Sequence, residues 1–114
     1  MNRLPEVLLD HEKYPTEEYL SWLKAWDEVS PEEINIFLKT VIESLSRAWL
    51  EPEYGIVVHR KRNGMVRYEL HTGEWSGNEE IITSLKQNFY FWMFWEMSRV
   101  GGHHYFLFNA NLFE

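Results

Sequence analysis

Apolar and polar residues recur along this chain with two different periods, and the change from one to the other separates a helical first half from a mixed second half. Residues 1–14 keep neither period and read as an irregular arm. Pro15-Thr16-Glu17-Glu18 then opens a first helix, with its acids in the turn where the helix dipole favours them. Tyr19, Trp22, Leu23 and Trp26 follow at i, i+3, i+4 and i+7, a stripe that must be covered. Ser30-Pro31-Glu32-Glu33 is a second start signal: a capping serine, proline at the first helical position, and a glutamate three residues on to close a capping box. Ile34, Phe37, Leu38, Val41, Ile42, Leu45 and Trp49 keep helical spacing until Glu51-Pro52 ends it. The short break at Val29-Ser30 folds the two helices into a hairpin over residues 15–50.

Beyond Pro52 the period becomes two. Residues 54–61 and 65–71 read as strands joined at Arg62-Asn63-Gly64, where Asn-Gly supplies the positive φ angles a hairpin needs. A three-residue loop that pairs Lys61 with Met65 collects Ile56, Val58, Val66, Tyr68 and Leu70 on one face. The other face then carries Val57, His59, Lys61, Arg67, Glu69 and His71. Residues 77–99 read as a long central helix that begins at a Ser76 N-cap with Glu79 completing a capping box, and stops at Gly101-Gly102. In it Ile81, Leu85, Phe89, Trp92 and Met93 are expected to face the sheet, with Phe91, Phe94 and Trp95 turned to the helical hairpin or a second subunit. Residues 103–108 form a third strand, placed parallel to the second by a right-handed crossover and antiparallel to the first, in strand order 2-1-3. The expected fold is α+β: a single two-layer domain over 1–114, element order α-α-β-β-α-β, with a three-stranded sheet covered by the aromatic helix.

Composition narrows the function. Aromatic residues are 17% of the 114, enough for one real core and too many to leave in water. No cysteine is present, which excludes disulfides, thiolate metal sites and cysteine nucleophiles and fits a cytoplasmic protein. Met1 to Asp10 carries no secretory pattern, and the apolar run at 89–95 is too short to span a bilayer. The net charge of −7 lies wholly in residues 1–53, which hold 12 acids and 5 bases. Such a balance argues against direct binding to nucleic acid.

Chemistry-bearing residues are few. In the expected strand order His59 approaches His103 or His104, with Lys61, Arg62 and Arg99 nearby, a cationic end of the sheet that suits an anion. His59, Arg67, His71, Arg99 and His103 are the candidate ligand-binding set. Glu69 and Glu96 are the nearby carboxylates, too few to complete a metal site, so no metal and no cofactor is expected. His103 and His104 point to opposite faces of a strand, one packed and the other exposed. No phosphate loop, carboxylate pair or Gly-x-Ser-x-Gly elbow accompanies Ser76 and His71, so no enzymatic activity is expected.

The segment Thr72-Gly73-Glu74-Trp75-Ser76-Gly77-Asn78-Glu79-Glu80-Ile81-Ile82, together with Arg99-Val100-Gly101-Gly102-His103, resembles a pattern in a family of small uncharacterised proteins of bacteria, phages and mobile elements. That family has Gly-Gly where this chain has Gly73-Glu74, and Arg-Arg where it has Arg99-Val100. The resemblance covers residues 72–108 and implies provenance, with no named activity. Accessory proteins of this kind often bind a host protein. The leading expectation is therefore a non-enzymatic interaction module that docks another protein through Glu17, Glu18, Glu32 and Glu33, or through Trp92 and Trp95. Binding of a small ligand or anion by the His/Arg set, with a divalent metal held by two of the histidines ranked behind it, and a structural homodimer through Trp92 and Trp95, are the alternatives.

Overall fold

Five helices and four strands follow one another in a computed structural model that describes residues 1–114. They are α1 (Glu17–Lys24), α2 (Ile34–Ala48), α3 (Pro52–Gly55), β1 (Ile56–Arg60), β2 (Met65–His71), α4 (Ser76–Lys86), α5 (Phe89–Trp92), β3 (Trp95–Arg99) and β4 (His103–Asn109), with short 3-10 turns between them. The fold is α+β, as the pattern predicts, but the sheet has four antiparallel strands in the order β1-β2-β4-β3.

The helical half starts where its signals lie. Thr16 caps α1, its hydroxyl accepting from the Tyr19 N–H at 3.2 Å. Ser30 donates to Glu33 Oε1 from its hydroxyl at 2.9 Å and its backbone N–H at 3.4 Å, and these bonds hold the Glu33 carboxyl below its ordinary value. Tyr19, Trp22 and Leu23 of α1 and Phe37, Leu38, Val41 and Leu45 of α2 are buried in a single core. Tyr19 donates to or accepts from Ser44 Oγ at 2.8 Å, and burial pushes both its phenol and that of Tyr68 up. The Tyr68 hydroxyl is buried without a partner.

The β1–β2 register is the one the alternation selects: Ile56 faces Leu70, Val58 faces Tyr68, and the Lys61 N–H donates to the Met65 carbonyl across the turn. Val66, Tyr68 and Leu70 of β2, with His104, Phe106 and Phe108 of β4, form the covered face of the sheet. The opposite face is partly accessible at Arg67, Glu69, His71, His103 and Leu107, while Tyr105 on it is buried.

The central helix of residues 77–99 is not one element. It ends at Lys86, and Asn88, fully buried, starts the short α5 by accepting from the Phe91 N–H at 3.0 Å and donating to the Leu23 carbonyl at 2.8 Å. The chain then extends into β3, and Gly101-Gly102, expected only to stop a helix, turn it back as a hairpin into β4. This changes the inside of the aromatic run: Phe91 packs against Phe106 and Phe108 at 4.9 and 5.3 Å, while Phe89 and Met93, expected against the sheet, are 57% and 59% exposed. The expected strand order 2-1-3 is overturned with it. A hairpin partner, β3, occupies one side of β4, and the other side pairs antiparallel with β2, not with β1. Ser76 does not cap α4. Trp75 precedes the helix, Ser76 Oγ donates to Tyr14 Oη at 3.1 Å, and Glu79 takes the hydroxyl of Thr72 at 2.6 Å. No helix of the protein is long and apolar enough to cross a membrane.

Packing also sets one pH response. His104 is 7% exposed on the covered face, bonded through Nδ1 to Ser98 Oγ at 2.7 Å, and burial first, then the Lys86 charge, pushes its imidazole below the ordinary value of 6.5. The unfolded chain therefore takes up a proton here that the folded chain refuses. The contribution is intact above pH 6.5 and is lost as pH falls below it. In urea unfolding at about pH 7.5 and 5.5, His104→Gln is expected to lose less stability on acidification than the parent chain; equal losses would contradict a neutral, buried His104.

Candidate functional site

Alternation along β2 places Arg67, Glu69 and His71 side by side on the open face, since every second side chain of a strand shares a face. The register adds His59 of β1 opposite Arg67, and Leu107, Tyr105 and His103 of β4 opposite Arg67, Glu69 and His71. Met97 and Arg99 of β3 lie beyond Tyr105 and His103.

One carboxylate organises this face. The Glu69 side chain is 12% exposed, accepts from His71 Nε2 on Oε1 at 2.9 Å, and has His59 Nε2 at 3.1 Å and Arg67 Nε at 3.5 Å from Oε2. The Arg67 contact has ion-pair range but not hydrogen-bond geometry, so its Nε is buried without a hydrogen-bond acceptor. Its guanidinium lies 4.6 Å over the Tyr105 ring, a cation–π contact that fixes the plane. Tyr105 also meets the His71 ring edge-on at 5.8 Å.

His71 is held at three points. Nε2 meets Glu69, Nδ1 lies 2.8 Å from His103 Nδ1, and its carbonyl accepts from the Trp49 indole N–H at 3.1 Å. The last bond needs Gly55, because a Cβ there would come within 2.5 Å of the Trp49 nitrogen. Carboxylate oxygens only accept, so His71 carries its proton on Nε2 and offers a bare Nδ1; His103 then donates from Nδ1 and keeps Nε2 free. The residues of this cluster do not form a metal cage: no three His, Asp or Glu side chains are arranged to hold an ion. Comparison with known proteins adds no relative, since no protein family, curated protein or solved structure matches the chain.

The fold brings together His59, Arg67 and His71 around Glu69, joins His103 through His71, and sets Arg99 opposite His103 in register. It does not bring His59 to His103 or His104, because β2 lies between β1 and β4. Lys61 and Arg62 sit at the β1–β2 turn, the Met65 end of the sheet, while Arg99 and His103 sit at the His71 end. His104 points to the covered face, as expected for adjacent residues of a strand.

At the His71 end the face meets an open cleft of about 240 Å3, whose lining includes Leu50, Glu51, Tyr54, His71, Gly73 and Trp75. Residues of the Thr72 to Glu79 pattern build its floor: Asn78 Oδ1 accepts from the Leu50 N–H at 2.9 Å and Nδ2 donates to the Thr72 carbonyl at 3.2 Å. Trp75 is braced by Tyr14, with ring centroids 4.7 Å apart.

The acidic set is dispersed in role. Glu17, Glu18 and Glu32 are exposed and unpaired, whereas Glu33 is consumed by the start of α2. Trp92 is half-buried and stacks on Trp95 with centroids 6.2 Å apart, and Trp95 is 44% exposed. Sequence reasoning placed Glu69 on the right face without seeing it as the organiser, and missed Tyr105. The spacing Arg67-x-Glu69-x-His71 carried the first signal; the second required knowing that β4 pairs with β2.

Proposed function

We propose that this protein is a non-enzymatic binding module of the bacterial cytoplasm whose recognition surface is the open face of the sheet, and that this surface takes the phosphate or carboxylate group of a small ligand. One observation carries the reading. In a chain of net charge −7, Arg67, Arg99, His59, His71 and His103 share one face of the sheet with a single carboxylate among them. Arg67 is a partly buried cation whose Nε has no hydrogen-bond acceptor, and an anionic ligand there would offset its desolvation. Arg67 is suited to a planar anion, with one side of its guanidinium on Tyr105 and its terminal nitrogens uncommitted. The adjoining cleft gives the body of such a ligand a place beside His71. The resemblance over residues 72–108 supports an origin among phage or mobile-element accessory proteins.

Thermal unfolding against inorganic phosphate, nucleoside phosphates and dicarboxylates tests it. A ligand at one hundred times its Kd is expected to add about 2.7 kcal/mol, and Arg67→Ala is expected to weaken the ligand at least tenfold. No shift with any member of the set would overturn the reading.

A second reading, docking of another protein or a second copy, is favoured by Phe89, Met93 and Trp95, which are 57%, 59% and 44% exposed around the α5–β3 connection. It predicts concentration-dependent sedimentation that Trp95→Ser abolishes; a monomer at all concentrations that captures no partner would count against it.

A further inference from the structure

We propose that the His71–His103 pair takes up one proton and admits no second while the contact is intact, so that the pair adds a single unit of charge to the open face on mild acidification and the anion affinity of the face rises with it. The affinity half rests on the anion-binding reading; the proton count does not.

Hydrogen-bond stoichiometry limits the pair to one added proton. Two ring nitrogens 2.8 Å apart need one N–H and one lone pair between them. With His71 Nε2 given to Glu69 at 2.9 Å, the bridging proton belongs to His103 Nδ1, and the lone pair left uncommitted in the chain of three groups is His103 Nε2. The first added proton goes there. It makes an imidazolium whose charge is shared across the Nδ1–H–Nδ1 bridge and balanced by Glu69 behind His71. A second proton has only His71 Nδ1 to bind, and that is the acceptor of the bridge. Two N–H groups facing each other at that distance repel, so the second proton requires the contact to break.

The surroundings act on the first proton from every side. Glu69 on β2 favours it, as do Glu74, whose carboxylate lies beside Gly101, and Glu51 across the cleft. His59 of β1 when protonated, Arg67 of β2 and Arg99 of β3 oppose it. Tyr105 adds an aromatic edge against His71, and Tyr54 stands across the cleft. Opposing charges of both signs leave the bridge geometry to set the proton count. Backbone clamping helps, because the Trp49 bond to the His71 carbonyl and the Glu69 bond to its ring leave His71 little freedom to turn away.

Side-chain nitrogen NMR between about pH 8 and 5, the range in which imidazoles titrate, reads the proton count, and sulfate binding over the same range reads the affinity, because sulfate keeps its charge there. In the parent protein both rings are expected to move together with the amplitude of one proton. In His103→Gln, His71 is expected to titrate alone to a full imidazolium, and His71→Gln gives the reciprocal check if that variant folds poorly. Sulfate affinity should rise on acidification with the same slope in the parent and in His103→Gln, since each takes up one proton here, by up to tenfold per pH unit for that proton; a steeper rise in the parent would mean that the pair takes two. Independent titration of both rings to full imidazolium with the fold intact would overturn the proposal. A single shared proton with no sulfate bound at any pH would uphold the proton count and overturn the anion reading.

Discussion

Gly102→Ala is expected to cost roughly 3 kcal/mol of stability and to lower the melting temperature by about 12 °C. Gly102 holds φ at +84°, where an L side chain is strained, and a Cβ there would overlap Thr72 Oγ1. That hydroxyl cannot simply move. It donates to Glu79 Oε1 at 2.6 Å and accepts from the Glu74 N–H at 3.0 Å, while the Thr72 N–H donates to the Gly102 carbonyl at 2.9 Å. Thr72 is buried, so each lost bond leaves a group without water. Thr72 and Gly102 are therefore a clasp between the β2–α4 loop and the β3–β4 turn, holding His71 and His103 in register. Gly101→Ala serves as the comparison: its φ of +102° strains an alanine as well, but its Cβ would meet the end of the His103 ring at 3.1 Å and no buried, bonded hydroxyl. Thermal unfolding of both variants should show the larger drop for Gly102→Ala; equal, small drops would show that the clasp is not rigid.

Asn88→Ala is expected to cost about 2.5 kcal/mol. The Asn88 amide is fully buried and satisfies two backbone groups, the Leu23 carbonyl at the end of α1 and the Phe91 N–H in α5. Alanine leaves both buried and unpaired, and loosens the segment that delivers Phe91 to the sheet. Asn88→Ser can keep the cap on the Phe91 N–H through its hydroxyl and loses the bond to Leu23, so its loss in urea unfolding should fall between those of the parent and the alanine variant. An alanine variant as stable as the parent would mean that water replaces the amide.

Asn88 also marks where the sequence misleads. Phe89 to Trp95 is apolar at every position, so neither a period of 3.6 nor one of two can be read from it, and a long helix is the simplest continuation of the clean pattern before it. The break depends on a buried amide reaching Leu23, 65 residues away in the chain, a contact that no local signal reports. Missing the break hid β3, and missing β3 placed the last strand against β1. Elsewhere the local signals sufficed. Ser30-Pro31 and Thr16 start their helices where expected, and the alternation across Asn63-Gly64 selects the observed hairpin register. For that reason Arg67, Glu69 and His71 share a face in both readings, while the partner of His103 is His71 and not His59. Sites made within one hairpin were legible; sites made by strand order were not.

The central claim is that the open face of the sheet binds an anion, and backbone amide NMR with inorganic phosphate at constant ionic strength tests it most directly. Saturable shifts are expected at His59, Arg67, Glu69, His71, Arg99, His103 and Tyr105, with affinity reduced at least tenfold by Arg67→Ala. Shifts spread over α1 and α2, or none that saturate, would contradict it.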